Sequence, residues 1–101
     1  MDNEKDNLVL KINQVSNKAF QLAQSAFQNR HGLADLISQA RELNEQLDQF
    51  WPQIQEASAA LQPELNRAWS DARLDIGYVL SKGELSTSTR LFQYIQDQTR
   101  G

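Results

Sequence analysis

Between Leu8 and Ala26 an apolar residue recurs in steps of four and three: Leu8, Ile12, Val15, Ala19, Leu22 and Ala26. A strand, whose side chains alternate every second residue, cannot gather these six on one face. A helix of 3.6 residues per turn stacks them in a single stripe. Lys11, Asn13, Gln14, Asn17, Lys18, Gln21 and Gln24 fill the remaining positions, so the spacing predicts an amphipathic helix over about residues 5–30. Arg30, His31 and Gly32 then supply basic groups for the end of the helix dipole and a glycine for its cap.

The stripe resumes at Leu33, Leu36, Ala40, Leu43, Leu47 and Phe50, with Ile37 widening it, and predicts a second helix over 33–50. Past Phe50 the apolar steps run through Ile54, Ala57, Leu61, Leu65, Ala68, Ala72, Ile76 and Val79 at a spacing closer to an eleven-residue period, which packs straighter than a heptad. Pro52 and Pro63 interrupt this run, and neither follows a residue able to cap a helix. One helix over 33–81 would be roughly 70 Å long, nearly twice the first, and half its stripe would face water. The expectation is therefore a break at Trp51-Pro52 and a third helix over 53–81, kinked near Pro63 and stopped by Lys82-Gly83. Ser86, Thr87, Ser88 and Thr89 offer capping hydroxyls for a short fourth helix over 88–98. These readings together predict one all-α domain over residues 1–101, a helical bundle of three longer amphipathic helices plus a short C-terminal helix, with heptad-like, coiled-coil packing.

Leu, Ile, Val and Phe make up 25 of 101 residues, above the level at which chains stay disordered for want of a core. The net charge of −3 does not gather phosphates, no apolar run is long enough to cross a bilayer, and Met1–Asp6 is acidic where a secretory leader would be basic. These features predict a soluble cytoplasmic chain with no membrane partner and little tendency to bind nucleic acid. Thiol chemistry is excluded because Cys is absent, and no metal or cofactor is expected: Asp71 and Asp75 lie one turn apart, but Arg67 four residues before Asp71 gives that acid a plainer helical partner. Arg30-His31-Gly32 has the order of the histidine-phosphatase signature, yet that chemistry needs a preceding strand and a second His, and this chain has one His in all. A Ser or Thr nucleophile lacks a positioned base for the same reason, so the sequence predicts a protein that is not an enzyme.

The expected function is protein interaction, as a small adaptor, regulator, inhibitor or assembly factor acting through an amphipathic helical face on another protein or on a second copy of itself. Trp51, Trp69 and Tyr78 are candidate contacts, because large aromatics dominate both cores and interface hot spots. Arg90, Leu91, Phe92, Tyr94 and Ile95 on the last helix join them. For self-association the candidates are the seam residues Leu8, Ile12, Val15, Leu22, Ile54, Leu61 and Leu65. Residues 72–98 also have the outline of a helix-turn-helix whose second helix would present Ser88, Thr89, Arg90 and Gln93, which makes a nucleic-acid-associated regulator the alternative. A further alternative is a small secreted helical hairpin with a Trp at its central turn, although Trp51-Pro52-Gln53 lacks the glycine of a Trp-x-Gly turn.

Overall fold

The structure, a computed structural model, describes residues 3–28, 33–81 and 88–100. All secondary structure among them is helical: α1 (Asn3–Gln28), α2 (Leu33–Glu56), α3 (Gln62–Leu80) and α4 (Thr89–Thr99). The expected all-α bundle of three longer helices and a short last one is the fold observed. Each of the first three helices packs on both others, and α4 lies against α1 and α3. The helix stops expected at Arg30-His31-Gly32 and Lys82-Gly83, and the capping hydroxyls of Ser86 and Thr87, lie outside the described residues.

The stripe read from the sequence is the core. Val15, Ala19, Leu22, Ala23 and Ala26 of α1 meet Ala40, Leu43 and Leu47 of α2 and Ala72, Ile76, Tyr78 and Val79 of α3, with Leu91 of α4 closing one side. Alanines at facing positions carry no side chain beyond Cβ, so the helix backbones approach closely there. At the other end of the bundle Ile12, Ile54 and Leu65 are buried against one another. Ile12 lies toward the start of α1 and Ile54 toward the end of α2, so these two helices run antiparallel across their short connection.

The two prolines exchange the roles expected of them. The break predicted at Trp51-Pro52 does not occur: α2 continues through Pro52 for a further turn. Proline in a helix interior costs about 3 kcal/mol, because it removes one hydrogen bond and crowds the carbonyl four residues back. Pro52 and Asp48 are both exposed, so water can take the carbonyl left unpaired at Asp48. Continuing the helix also buries Ile54, which is 1% exposed, and full burial of an Ile side chain is worth roughly 1.5–3 kcal/mol. The break falls instead at Ala57–Leu61, and Pro63 stands in the first turn of α3, where a missing N–H costs nothing, rather than at a kink within a helix. Gln62 ties the corner. Its side-chain amide donates to the carbonyl oxygens of Gln55 (3.3 Å) and Ala57 (3.1 Å), groups that the end of α2 leaves without helical partners.

Candidate interaction surface

On the flank shared by α2 and α3, Trp51 packs on Trp69 with ring centroids 4.8 Å apart at an interplanar angle of 44°. Trp69 is half-buried and fixed: its indole N–H donates to the carbonyl oxygen of Leu47 at 3.0 Å. Trp51 is 40% exposed, so the pair has one anchored ring and one ring in solvent. Arg73 lies 5.6 Å from the Trp69 ring centroid and donates to Asn44 Oδ1 (2.7 Å) and Asp48 Oδ1 (3.2 Å) across the helix interface. Both charges are open to water, a setting in which an ion pair contributes at most about 1 kcal/mol and holds side chains in place more than it holds the fold. A Trp pair bordered by an Arg is rich in the side-chain types that dominate binding energy at protein interfaces.

The other aromatic candidate of α3 is placed differently. Tyr78 is buried in the main core.

Of the C-terminal candidates, Leu91 is fully buried, Tyr94 and Ile95 are half-buried against the core, and Phe92 is 55% exposed. Phe92, alone among these apolar candidates, stays in solvent. The Tyr94 ring stands edge-on to Phe20 and Phe27 at 6.3 and 6.0 Å, and its hydroxyl accepts from the Gln28 amide.

Arg90 does not face solvent as a phosphate contact would. Its guanidinium donates to Asp75 Oδ2 through Nε (2.9 Å), with Nη2 in ion-pair contact with the same oxygen at 2.7 Å, and Nη2 donates to the Ser16 carbonyl oxygen at 2.8 Å. The Phe20 ring lies below it, with its centroid 4.8 Å away. Ser88 is fully buried. Its hydroxyl donates to Asp75 Oδ1 while accepting from the Leu91 backbone N–H at 3.1 Å, so one side chain caps α4 and joins it to α3. Two of the four residues expected on a recognition helix, Ser88 and Arg90, are therefore engaged inside the protein, and Thr89 and Gln93 are exposed. Burial pushes the Asp75 carboxyl above its ordinary value of 3.8, and the Ser88 hydroxyl and Arg90 guanidinium only partly offset this. Asp75 is thus held by protein donors, and no cluster of three metal-ligating side chains occurs among the described residues.

The residues expected to meet a second copy are used within the chain. Ile12, Val15, Leu22, Ile54 and Leu65 are buried in its own core, and Leu8 and Leu61 are half-buried against it. The fully buried ones, Ile12, Ile54 and Leu65, offer no face to a second molecule without opening the bundle. The pair expected between Arg67 and Asp71 is not among the ion pairs of the described residues; both side chains line a small polar cleft that also includes Asn13, Asn17 and Arg90.

Sequence reasoning passed over Ser16 and Asp75 as buried groups, though their spacing contains the signal. Ser16 stands four after Ile12 and three before Ala19, and Asp75 three after Ala72 and four before Val79. Each is a polar residue at a core position, and such a residue needs a partner. A second feature missed is an open groove of about 570 Å³ between α1 and α2, with Leu22, Leu36 and Leu43 beneath walls bearing Lys18, Gln21, Ser25, Gln39, Glu42 and Gln46. Among the described residues no helix is long and apolar enough to cross a membrane. No family model matches the chain, and no curated protein or solved structure matches it either.

Proposed function

We propose that this chain is a non-enzymatic protein-interaction module of the cytoplasm, a small adaptor or regulator whose contact with another protein is centred on Trp51. The observation that carries this reading is the half-open Trp pair: Trp51 is 40% exposed while Trp69 beneath it is fixed by a hydrogen bond to α2. Ordering a contact side chain costs conformational entropy on binding, and a ring already stacked has less to lose. Arg73, held over Trp69 by Asn44 and Asp48, adds a positioned donor and a cation at the rim of the same patch. The nucleic-acid alternative has less support, since Arg90 is turned onto Asp75 and Ser16.

The test is site-specific photo-crosslinking in cells from position 51, with position 10 as the control, because Leu10 is also exposed, at 56%. The protein captured from position 51 is then purified and titrated. Trp51→Ala is expected to weaken its binding by about thirtyfold, the effect of a typical hot spot, while Leu10→Ala leaves it unchanged. Capture that does not differ between the two positions, or an affinity insensitive to Trp51→Ala, refutes the assignment.

A further inference from the structure

The groove between α1 and α2 carries one charge on each wall, of opposite sign: Lys18 on α1 and Glu42 on α2, both exposed. The other prominent wall residues are glutamines, and a Gln amide is donor and acceptor at once, so a wall of glutamines can hydrogen-bond to another wall of glutamines. Because α1 and α2 are antiparallel about the connection at residues 29–32, Lys18 and Glu42 stand at about the same level on opposite sides of the leucine floor. Neither has an ion-pair partner among the described residues.

We infer that the α1/α2 groove is the docking surface for a second copy of this chain, paired about a two-fold axis running along the groove. Such an axis places α1 of each copy over α2 of the other. Lys18 of each copy then meets Glu42 of the other, twice per dimer, and the glutamine walls face one another. An isologous contact requires a patch complementary to itself, and a lysine across the groove from a glutamate at matched height meets that requirement. A foreign partner would have to bring an acid and a base of its own in the same register.

This surface is separate from the Trp51 patch. Gln39, Glu42 and Gln46 lie on one flank of α2, while Asn44, Asp48 and Trp51 lie on the flank toward α3.

The experiment is light scattering of the full chain over a range of concentrations, with Lys18→Glu, Glu42→Lys and an equimolar mixture of those two variants. The wild-type chain is expected to pass from 11.5 kDa to twice that mass as concentration rises. Either variant alone places like charges together at both contacts and is expected to raise the dimer dissociation constant by about tenfold or more. In the mixed dimer every contact is again opposite in sign, so mixing the two variants restores association. Both positions are exposed, and unchanged circular dichroism separates a lost contact from a lost fold. A wild-type chain that stays monomeric, a dimer indifferent to both charge reversals, a mixture no tighter than its components, or a dimer abolished by Trp51→Ala instead overturns the inference.

Discussion

Replacing Arg90 by Ala should destabilise the protein by an amount that depends on pH, and the direction of that dependence follows from Asp75. The guanidinium forms an ion pair with Asp75, donates one hydrogen bond to its Oδ2 and donates another to the Ser16 carbonyl oxygen. Asp75 is fully buried, so Arg90→Ala leaves a carboxylate in the core with Ser88 as its remaining donor. Removing one partner of a buried ion pair costs about 3–5 kcal/mol, and the lower figure applies because the Arg90 side chain is 26% exposed and water can enter behind it.

The carboxyl is already raised above 3.8 by burial, which means the folded protein binds its proton more tightly than the unfolded chain does. Its contribution to stability is therefore fully present below 3.8 and is lost as pH rises through the folded value. Without Arg90 the folded value rises further, so more stability is lost on that climb. The expected cost of Arg90→Ala is about 3 kcal/mol near pH 7. It shrinks to about 1 kcal/mol near pH 3.5, where the neutral carboxyl no longer needs a cation and the lost bond to Ser16 accounts for the remainder. Denaturant unfolding followed by circular dichroism at both pH values measures the difference between variant and wild type, which cancels the titration of the other acids. In an Asp75→Asn background the cost of Arg90→Ala should lose its pH dependence. Equal costs at the two pH values in the Asp75 protein would refute the reasoning.

Two further substitutions test the α2–α3 corner. Pro52→Ala restores a backbone donor for the Asp48 carbonyl at an exposed position, and is expected to stabilise the fold by about 1–3 kcal/mol, raising Tm by at least about 4 °C. A lowered Tm in a thermal scan would mean that Pro52 is required for the path of α2 to Ile54. Trp69→Phe keeps an aromatic ring under Trp51 but removes the donor to Leu47, so thermal unfolding should show a loss of about 1 kcal/mol. An unchanged Tm would show that water replaces the indole at no cost.

The parts of this fold legible in the sequence are those decided by periodicity. The Leu8-to-Ala26 stripe marks the inward face of α1 one position at a time, since burying that face outweighs the local preferences of the residues between and its spacing is visible. The path at the prolines was not legible, because it depends on a contest between effects of similar size. Proline's cost of about 3 kcal/mol at position 52 is set against the burial of Ile54, and the sequence does not show that Ile12 and Leu65 are waiting on either side of that residue. Pro63 takes the first turn of α3 because Gln62, which has no place among standard capping residues, reaches back to the end of α2. Arg90 illustrates the same limit at the candidate site. Its charge and its place on a short helix after a turn suggest a surface role, and only the stripe positions of Asp75 and Ser16 hint that it has buried partners.

The arrangement of α2 joins the two proposals. Its flank toward α3 carries Trp51 with Asn44 and Asp48, which hold Arg73 of α3, and its flank toward α1 carries Glu42 among glutamines. A helix repeats at about 100° per residue, so the two sets diverge by well over a right angle, and a molecule seated in the α1/α2 groove leaves the Trp pair uncovered. Two copies joined through their grooves then expose two Trp51 patches held at a fixed separation. Binding of the first patch to a partner with two matching sites raises the effective concentration of the second, with no new contact needed. On the two proposals together, one Trp pair and one Arg per copy would favour repeated or dimeric partners. The geometry of the pair supplies, on these proposals, discrimination that a single exposed ring cannot.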